Sequence, residues 1–341
     1  MRLLRKLLLP FSALYWLVTA IRNFLYDREV YKHQSFNLPI IAVGNLSTGG
    51  TGKTPQTEYL IRLLAQQYRV ATLSRGYGRK SKGYLLADAN ASAQTLGDEP
   101  YQFYSKFSNI NVAVDADRVH GISQLLGLNP KPQIIILDDA YQHRRVKAGF
   151  YVLLTAYGDI YPDDYILPAG NLRESRTGAA RANVIVVTKC PPDLSDDEQQ
   201  KIIRKLKPKA SQKVFFTCIA YDDLVYSEYS EMAIDDATQI PRVLVAGIAK
   251  PQFFFEELAG PGTINKRFPD HHNFTENEIN ELNQLANDKI IITTEKDYMR
   301  LKGKLSADRL FYLPIKTHFI SGGNDFNNTI LNYVGQSTAN R

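Results

Sequence analysis

Cysteine is nearly absent: Cys190 and Cys218 are the only two among 341 residues, and neither has a Cys or His partner at metal-ligand spacing. That excludes a disulfide framework, gives no sign of a zinc or iron–sulfur site, and suits a reducing compartment. No low-complexity tract and no repeat of solenoid length occurs, so wholesale disorder and repeat architectures drop out. Long apolar runs are missing too. The longest uncharged stretch near the N-terminus, Leu7 to Ile21, is shorter than the roughly 20 apolar residues that span a bilayer, and Pro10 interrupts its first turns. No small-residue cleavage site follows it, which argues against a secretory signal. What remains is ordinary globular composition, 44% apolar and 22% charged, with a chain long enough for one large domain or two.

The formal charge is +6, and residues 1–33 alone carry a net of +4 through Arg2, Arg5, Lys6, Arg22, Arg28 and Lys32 against Asp27 and Glu29. At 100° per residue, Leu4, Leu7, Phe11, Leu14, Val18, Ile21 and Leu25 share one face. Arg2, Arg5, Lys6, Ser12, Thr19 and Asn23 fall mostly opposite, while Leu9 and Trp16 lie on the polar side and Arg22 intrudes on the apolar one. Two readings fit. One is an interfacial helix, basic on one side and rich in large apolar residues on the other, lying in a membrane surface. The other is an amphipathic helix packed on the protein's own core or on a partner. The density of large apolar residues favours the first.

Pro39 to Asn45 reads as a buried parallel strand ending in turn residues. Ser47, Thr48, Gly49, Gly50, Thr51, Gly52, Lys53 and Thr54 follow at once, and Pro55 to Gln67 then has helical character with Leu60, Leu63 and Leu64 as its apolar face. Strand, glycine loop and helix together make a phosphate loop. Glycines let backbone N–H groups converge on phosphate oxygens, the helix N-terminus adds its dipole, and Lys53 reaches the β- and γ-phosphates. Thr54 offers a hydroxyl to Mg²⁺, and Ser47 stands where the eight-residue pattern usually has its first glycine. A second buried strand, Gln133 to Leu137, ends in Asp138-Asp139. Carboxylates at such a strand edge hold Mg²⁺ beside a phosphate loop. Tyr141, Gln142, His143 and Arg144 continue into the same crevice.

Strand-like and helix-like segments alternate through the first two-thirds of the chain. This predicts an α/β fold with a P-loop NTPase-like, doubly wound, mostly parallel sheet and loops gathered at its C-terminal edge. Polar clusters at those edges are Ser74 to Arg79, Gly97 to Pro100 and Asp115 to Arg118; singly, each is more often a turn or a cap than a catalytic group. Phe215 to Tyr226 is expected as one strand. A second βα unit begins at Val243, and a helix is expected over Thr275 to Ala286. The division expected is residues 1–33 as the N-terminal amphipathic helix, 34–224 as the P-loop core, and 225–341 as a smaller C-terminal α/β domain closing over the active site.

These clusters, in this order, resemble the lipid A 4′-kinases (tetraacyldisaccharide 4′-kinases) of Gram-negative bacteria. The matching landmarks are the basic–apolar N-terminal helix, Val43-Gly44-Asn45-Leu46 with the loop through Pro55, Ser74 to Gly78, and Gly97 to Pro100. Asp138-Asp139 with Gln142-His143, Leu167-Pro168 with Gly170 and Leu172-Arg173-Glu174, Phe268 to His271, and Thr294 to Asp297 complete the set. Ala140 stands where many relatives have glycine. The resemblance implies transfer of the γ-phosphoryl of ATP, with Mg²⁺, to the 4′-hydroxyl of a tetraacylated glucosamine disaccharide 1-phosphate. It also implies a peripheral place on the cytoplasmic face of the inner membrane through residues 1–28, a lipid partner and no nucleic acid. The family's acting aspartate and histidine fall on Asp98 and His271. Chemically, Asp98 suits a base on a sugar hydroxyl and His271 a group that tunes it. Asp139 is a further metal or supporting carboxylate, and Arg173, Glu174, Tyr77 and His143 are candidate substrate contacts.

Other classes answer less well. Partitioning and targeting ATPases of this loop type place a lysine before the paired glycines, where this chain has Thr48. A guanine-binding switch would need an Asp after Thr188-Lys189-Cys190, and none follows. A non-enzymatic membrane scaffold has no use for the pairing of Lys53 with Asp138.

Overall fold

A computed structural model gives the structure and describes residues 5–270 and 272–339. The uniformly apolar runs of the first two-thirds become strands β1 (Ile40–Asn45), β2 (Val70–Ser74), β3 (Leu85–Leu86), β4 (Asn111–Val114), β5 (Ile134–Leu137), β6 (Phe150–Ala156), β7 (Val184–Thr188) and β8 (Lys213–Tyr221). With β15 (Ile315–Phe319) they form a nine-stranded sheet in the order β15-β8-β7-β6-β1-β5-β2-β4-β3. The seven inner strands are parallel, and only the edge strands β3 and β15 run antiparallel to their neighbours. Helices cover both faces, which is why β1, β2, β5 and β7 are buried along their whole length and read as continuous apolar runs. The predicted doubly wound sheet is the one observed.

β1 sits near the middle, between β5 and β6, with Ala42 level with Leu137 and Asn45 level with Leu154. The phosphate loop and the Asp138-Asp139 pair therefore leave the same edge side by side. One face of the sheet packs on the helix Lys53–Leu64, through Leu60, Ile61 and Leu64, and on the C-terminal helix Gly323–Ala339, through Phe326, Ile330 and Val334.

The N-terminal helix Leu9–Asp27 turns its polar side inward. Ser12 donates to the carbonyl of Ile166 (3.1 Å), and the Tyr15 hydroxyl donates to that of Arg173 (3.0 Å). Arg22 donates to Gln142 O (3.0 Å) and Asn23 to Glu174 (2.8 Å). At the far end Arg144 pairs with Asp27 at 2.6 Å and lies over the Tyr26 ring. Leu7, Phe11, Leu14, Val18, Ile21 and Phe24 point to solvent, each at least half exposed. The alternative of an apolar face packed on the protein's own core is thus not the arrangement found. Arg22, which broke the apolar face in the sequence pattern, lies on the seam. No helix among the described residues is long and apolar enough to cross a membrane.

A second sheet holds β9 (Leu224–Tyr226), β10 (Glu231–Ala233), β11 (Arg242–Ala246), β12 (Thr263–Arg267), β13 (Ile290–Thr294) and β14 (Leu310–Leu313), in the order β10-β9-β14-β13-β11-β12. Phe215 to Tyr226, expected as one strand, is split at Asp222-Asp223: β8 stays in the large sheet and β9 enters the small one. The expected extent of the C-terminal domain, 225–341, also needs correcting. β15 leaves the small sheet and pairs antiparallel with β8, Phe319 opposite Thr217. The C-terminal helix then packs on the large sheet, with Phe326 against Phe319 (ring centroids 4.7 Å), Phe215 (5.3 Å) and Tyr59 (5.9 Å). Burial of this aromatic layer draws 315–339 back to the first core. Phe326 has no exposed surface, so Phe326→Ala should cost about 3–5 kcal/mol. The check is a lower denaturant midpoint at unchanged slope.

Candidate active site

The phosphate loop is braced from outside rather than by its own side chains. Gly49 and Gly52 have φ of 111° and 77°, values that favour glycine, and Gly52 caps the helix that begins at Lys53. Asn45 donates to the Thr51 hydroxyl (2.6 Å), Thr188 to Thr51 O (2.9 Å) and Lys189 to Gly50 O (2.6 Å). The arm at 46–48 is zipped to 171–173 by the bonds Thr48 N to Asn171 O and Arg173 N to Leu46 O, both 2.7 Å. These bonds fix the backbone of the loop at both of its arms.

Asp138 and Asp139 stand beside it with different surroundings. Asp138 is buried and accepts from Thr57 (3.2 Å) and Ser74 (3.4 Å). Burial first, and the charge of Asp139 second, push its pKa up to about 6 against the pull of Lys53. Asp139, at φ 47°, faces Lys53 (3.8 Å) and Arg173 (2.9 Å). Burial works against its charge, but those two cations hold its carboxyl below the usual range. Behind the pair lies Arg118, 2% exposed and brought down to about 10 by burial, with Asp138 and Asp139 favouring its charge.

On the other side of the pair, Asp98 opens the helix Asp98–Lys106. The loop before it needs glycine: Gly97 has φ 95°, and a Cβ there would lie 2.9 Å from Tyr77 O. Backbone contact thereby brings the 76–78 turn against Asp98. Asp98 is bound by Arg300, on the helix Glu295–Leu301, whose other nitrogen donates to His272 O at 3.3 Å. The neighbouring Glu99 is felt electrostatically at Asp138. Arg300 thus joins the 97–99 segment to the chain at 272, and Glu99 extends the link toward Asp138.

Comparison with known proteins decides the family. A family model described as Tetraacyldisaccharide-1-P 4′-kinase matches residues 4–335. The tetraacyldisaccharide 4′-kinase of Flavobacterium johnsoniae is 56% identical over 337 residues, covering 99% of both chains. That of Bacteroides fragilis is 41% identical over 363 residues, covering 99% of this chain and 95% of the relative. The crystal structure of LpxK from Aquifex aeolicus in complex with ATP matches at TM-score 0.78 and 30% identity, over 97% of this chain and 99% of that one. The chain belongs to the tetraacyldisaccharide 4′-kinase family. Its activity is ATP-dependent phosphorylation of a tetraacyl disaccharide 1-phosphate at the 4′ position, a step of lipid A biosynthesis.

In this kinase the residues singled out from sequence do not all stand together. Lys53, Thr54, Asp138, Asp139 and Arg173 stand together at the sheet edge, with Asp98 and the 85%-exposed Tyr77 on its flank. His271 lies outside the described residues. Glu174 departs from the expectation of a substrate contact: it is 3% exposed, one oxygen accepts from Arg181 and Gln142, and the other accepts from Asn23. Both oxygens are occupied, so it fastens the N-terminal helix to the core. Arg300 was not singled out, and Arg118 and Lys189 stood only within a turn-like cluster and beside a missing guanine-reading Asp. The partners that matter for Lys189 and Arg300, Gly50 O and Asp98, lie far away along the chain.

His143 is partly buried, and burial first, then Arg118, lower its pKa to about 4 from the ordinary 6.5. Its imidazole is neutral at pH 7 and can offer a hydrogen bond but no charge. The unfolded chain binds this proton more readily, so the stability contribution is full above about pH 6.5 and lost as pH falls toward 4. His143→Gln should flatten that acid-side loss in a series of melting temperatures across the range.

Proposed function

We propose that the kinase works as a donor half and an acceptor half meeting at one sheet edge. Ser47 to Thr54 cradles the triphosphate of ATP, and Lys53 meets the β- and γ-phosphates. Mg²⁺ fits the donor set here: magnesium takes one or two carboxylates and completes its shell with phosphate oxygens and water. Thr54 and Asp138 would hold it, and the burial and, after it, the charge of Asp139 that raise Asp138 are what a bound cation offsets. There it would neutralise charge on the transferring group. Asp139 stays paired with Lys53 and Arg173, keeping both cations aimed at the phosphates.

Asp98 is the base toward the 4′-hydroxyl, and His271 tunes it; Arg173, Tyr77 and His143 line the acceptor side. The observation that carries this is the Arg300 clasp that links Asp98 to the chain next to position 271, supported by Glu99, the neighbour of Asp98, whose charge reaches Asp138. Asp98→Asn and His271→Ala should each lower kcat by on the order of 10²-fold or more, with the KM for ATP nearly unchanged. Phosphate transfer from labelled ATP to the lipid reads this out, and near-normal turnover in either variant would remove that residue's role.

The kinase is a peripheral protein of the inner membrane's cytoplasmic face, with residues 1–28 as its membrane contact. The solvent-facing row from Leu7 to Phe24 supports this, because its seam with the core is polar and its outer face is left to an apolar medium. The 34–224 core acts as the nucleotide domain, and 225–314 as a module closing over the acceptor. Deleting residues 1–28 should release the enzyme from anionic lipid vesicles in a sedimentation assay; undiminished pelleting would reject the helix as the anchor.

A further inference from the structure

The second sheet meets the nucleotide core through a buried charge cluster to which the proposed chemistry assigns no role. Lys106, at the end of the Asp98 helix, lies 2.7 Å from Glu58 and 2.7 Å from Glu295. Glu58 is on the phosphate-loop helix, one turn past Lys53, and Glu295 is the first residue of the helix that carries Arg300. Both carboxylates are buried, and the Lys106 side chain is 12% exposed. Gln102 donates to the second oxygen of Glu58 at 2.8 Å, and Arg62 approaches Glu58 at 3.5 Å from the surface side. Lys106 thus answers both buried carboxylates, with only the part-exposed Arg62 as a second, longer contact to Glu58, and Glu295 is held above the usual carboxylate range by burial and by the charge of Glu58.

Direction matters as much as charge. The helices Asp98–Lys106 and Glu295–Leu301 run antiparallel and are fastened at both ends, Asp98 to Arg300 and Lys106 to Glu295. The second fastening also reaches the phosphate-loop helix. A shift of the small sheet would therefore pull on the Asp98 helix and the nucleotide helix through the same nitrogen.

We propose that Lys106 is a positioning residue for phosphoryl transfer, fixing the Asp98 helix against both the phosphate-loop helix and the second sheet. The proposal rests on the reading that Asp98 acts at the acceptor hydroxyl. It predicts an effect on kcat rather than on ATP binding, because Lys106 touches neither the loop nor the nucleotide side of it.

In the full-length enzyme, Lys106→Met should lower kcat by on the order of 10²-fold, since small misplacement of reacting groups is that costly. The KM for ATP should stay within about threefold of wild type. A normal kcat would overturn the proposal. If Lys106→Met does not fold, the triple variant Glu58→Gln, Lys106→Met, Glu295→Gln replaces it, because it buries no unpaired charge. Wild-type melting temperature with kcat still depressed in the triple variant supports positioning; recovery of kcat along with stability shows a purely structural role and overturns it. Asp98→Asn tests the underlying reading separately: normal turnover there removes the base, whereas the Lys106 variants are judged on kcat against the KM for ATP.

Discussion

The site depends on a single piece of register, the parallel pairing of β1 with β5. Those strands lie far apart in sequence, and their alignment sets the phosphate loop and two adjacent carboxylates at one level of one edge. The consequence is electrostatic. Asp138 is buried next to a like charge, and the surrounding cations, Lys53, Arg173 and Arg118, come from three other segments to balance the pair. A site assembled this way is under charge tension before any ligand arrives. Such tension suits the proposed receipt of a triphosphate with its Mg²⁺, because a cation bound there would relax what folding strained.

The N-terminal helix has amphipathicity of the reverse sense to a helix on a soluble core. Hydrogen bonds to loop carbonyls hold its polar side, and its large apolar residues remain outside. The loops it grips, 166–173 and 142–144, are those that line the phosphate loop and the carboxylates. Whatever medium covers the outer face therefore sits one helix diameter from the transfer site. Under the proposed membrane contact, that geometry would spare the acceptor's acyl chains a passage through water.

The large sheet was readable because its inner strands are buried on both faces and so appear as short apolar runs, and because the glycine loop and Asp138-Asp139 carry their meaning within a few residues. What resisted reading depends on distant partners. Glu174 looks like a surface acid beside Arg173, and only Arg181 and Asn23 make it a buried fastening. Ile315 to Phe319 alternates half-buried and exposed residues, as an edge strand does, and nothing local says which sheet it will join. The role of Asp98 was suggested by a motif, but its clasp comes from Arg300, on the other sheet. Local pattern fixes elements; pairings across hundreds of residues fix how the site is closed.

The return of β15 to β8 also sets an order of assembly. The whole small sheet is spliced between two neighbouring strands, and the splice is pinned where Asp222 N donates to Pro314 O at 3.0 Å. Closing so long a loop costs little more than closing a short one, because the entropy grows only with the logarithm of its length. Timing is another matter. On a growing chain, the edge strand and the Phe319–Phe326–Val334 layer of the first core emerge after the small sheet. The small sheet, with all its strands already made, can be complete while the nucleotide half still waits for its final wall. A nascent chain of this kinase thus acquires its small sheet before the core that carries the phosphate loop is sealed.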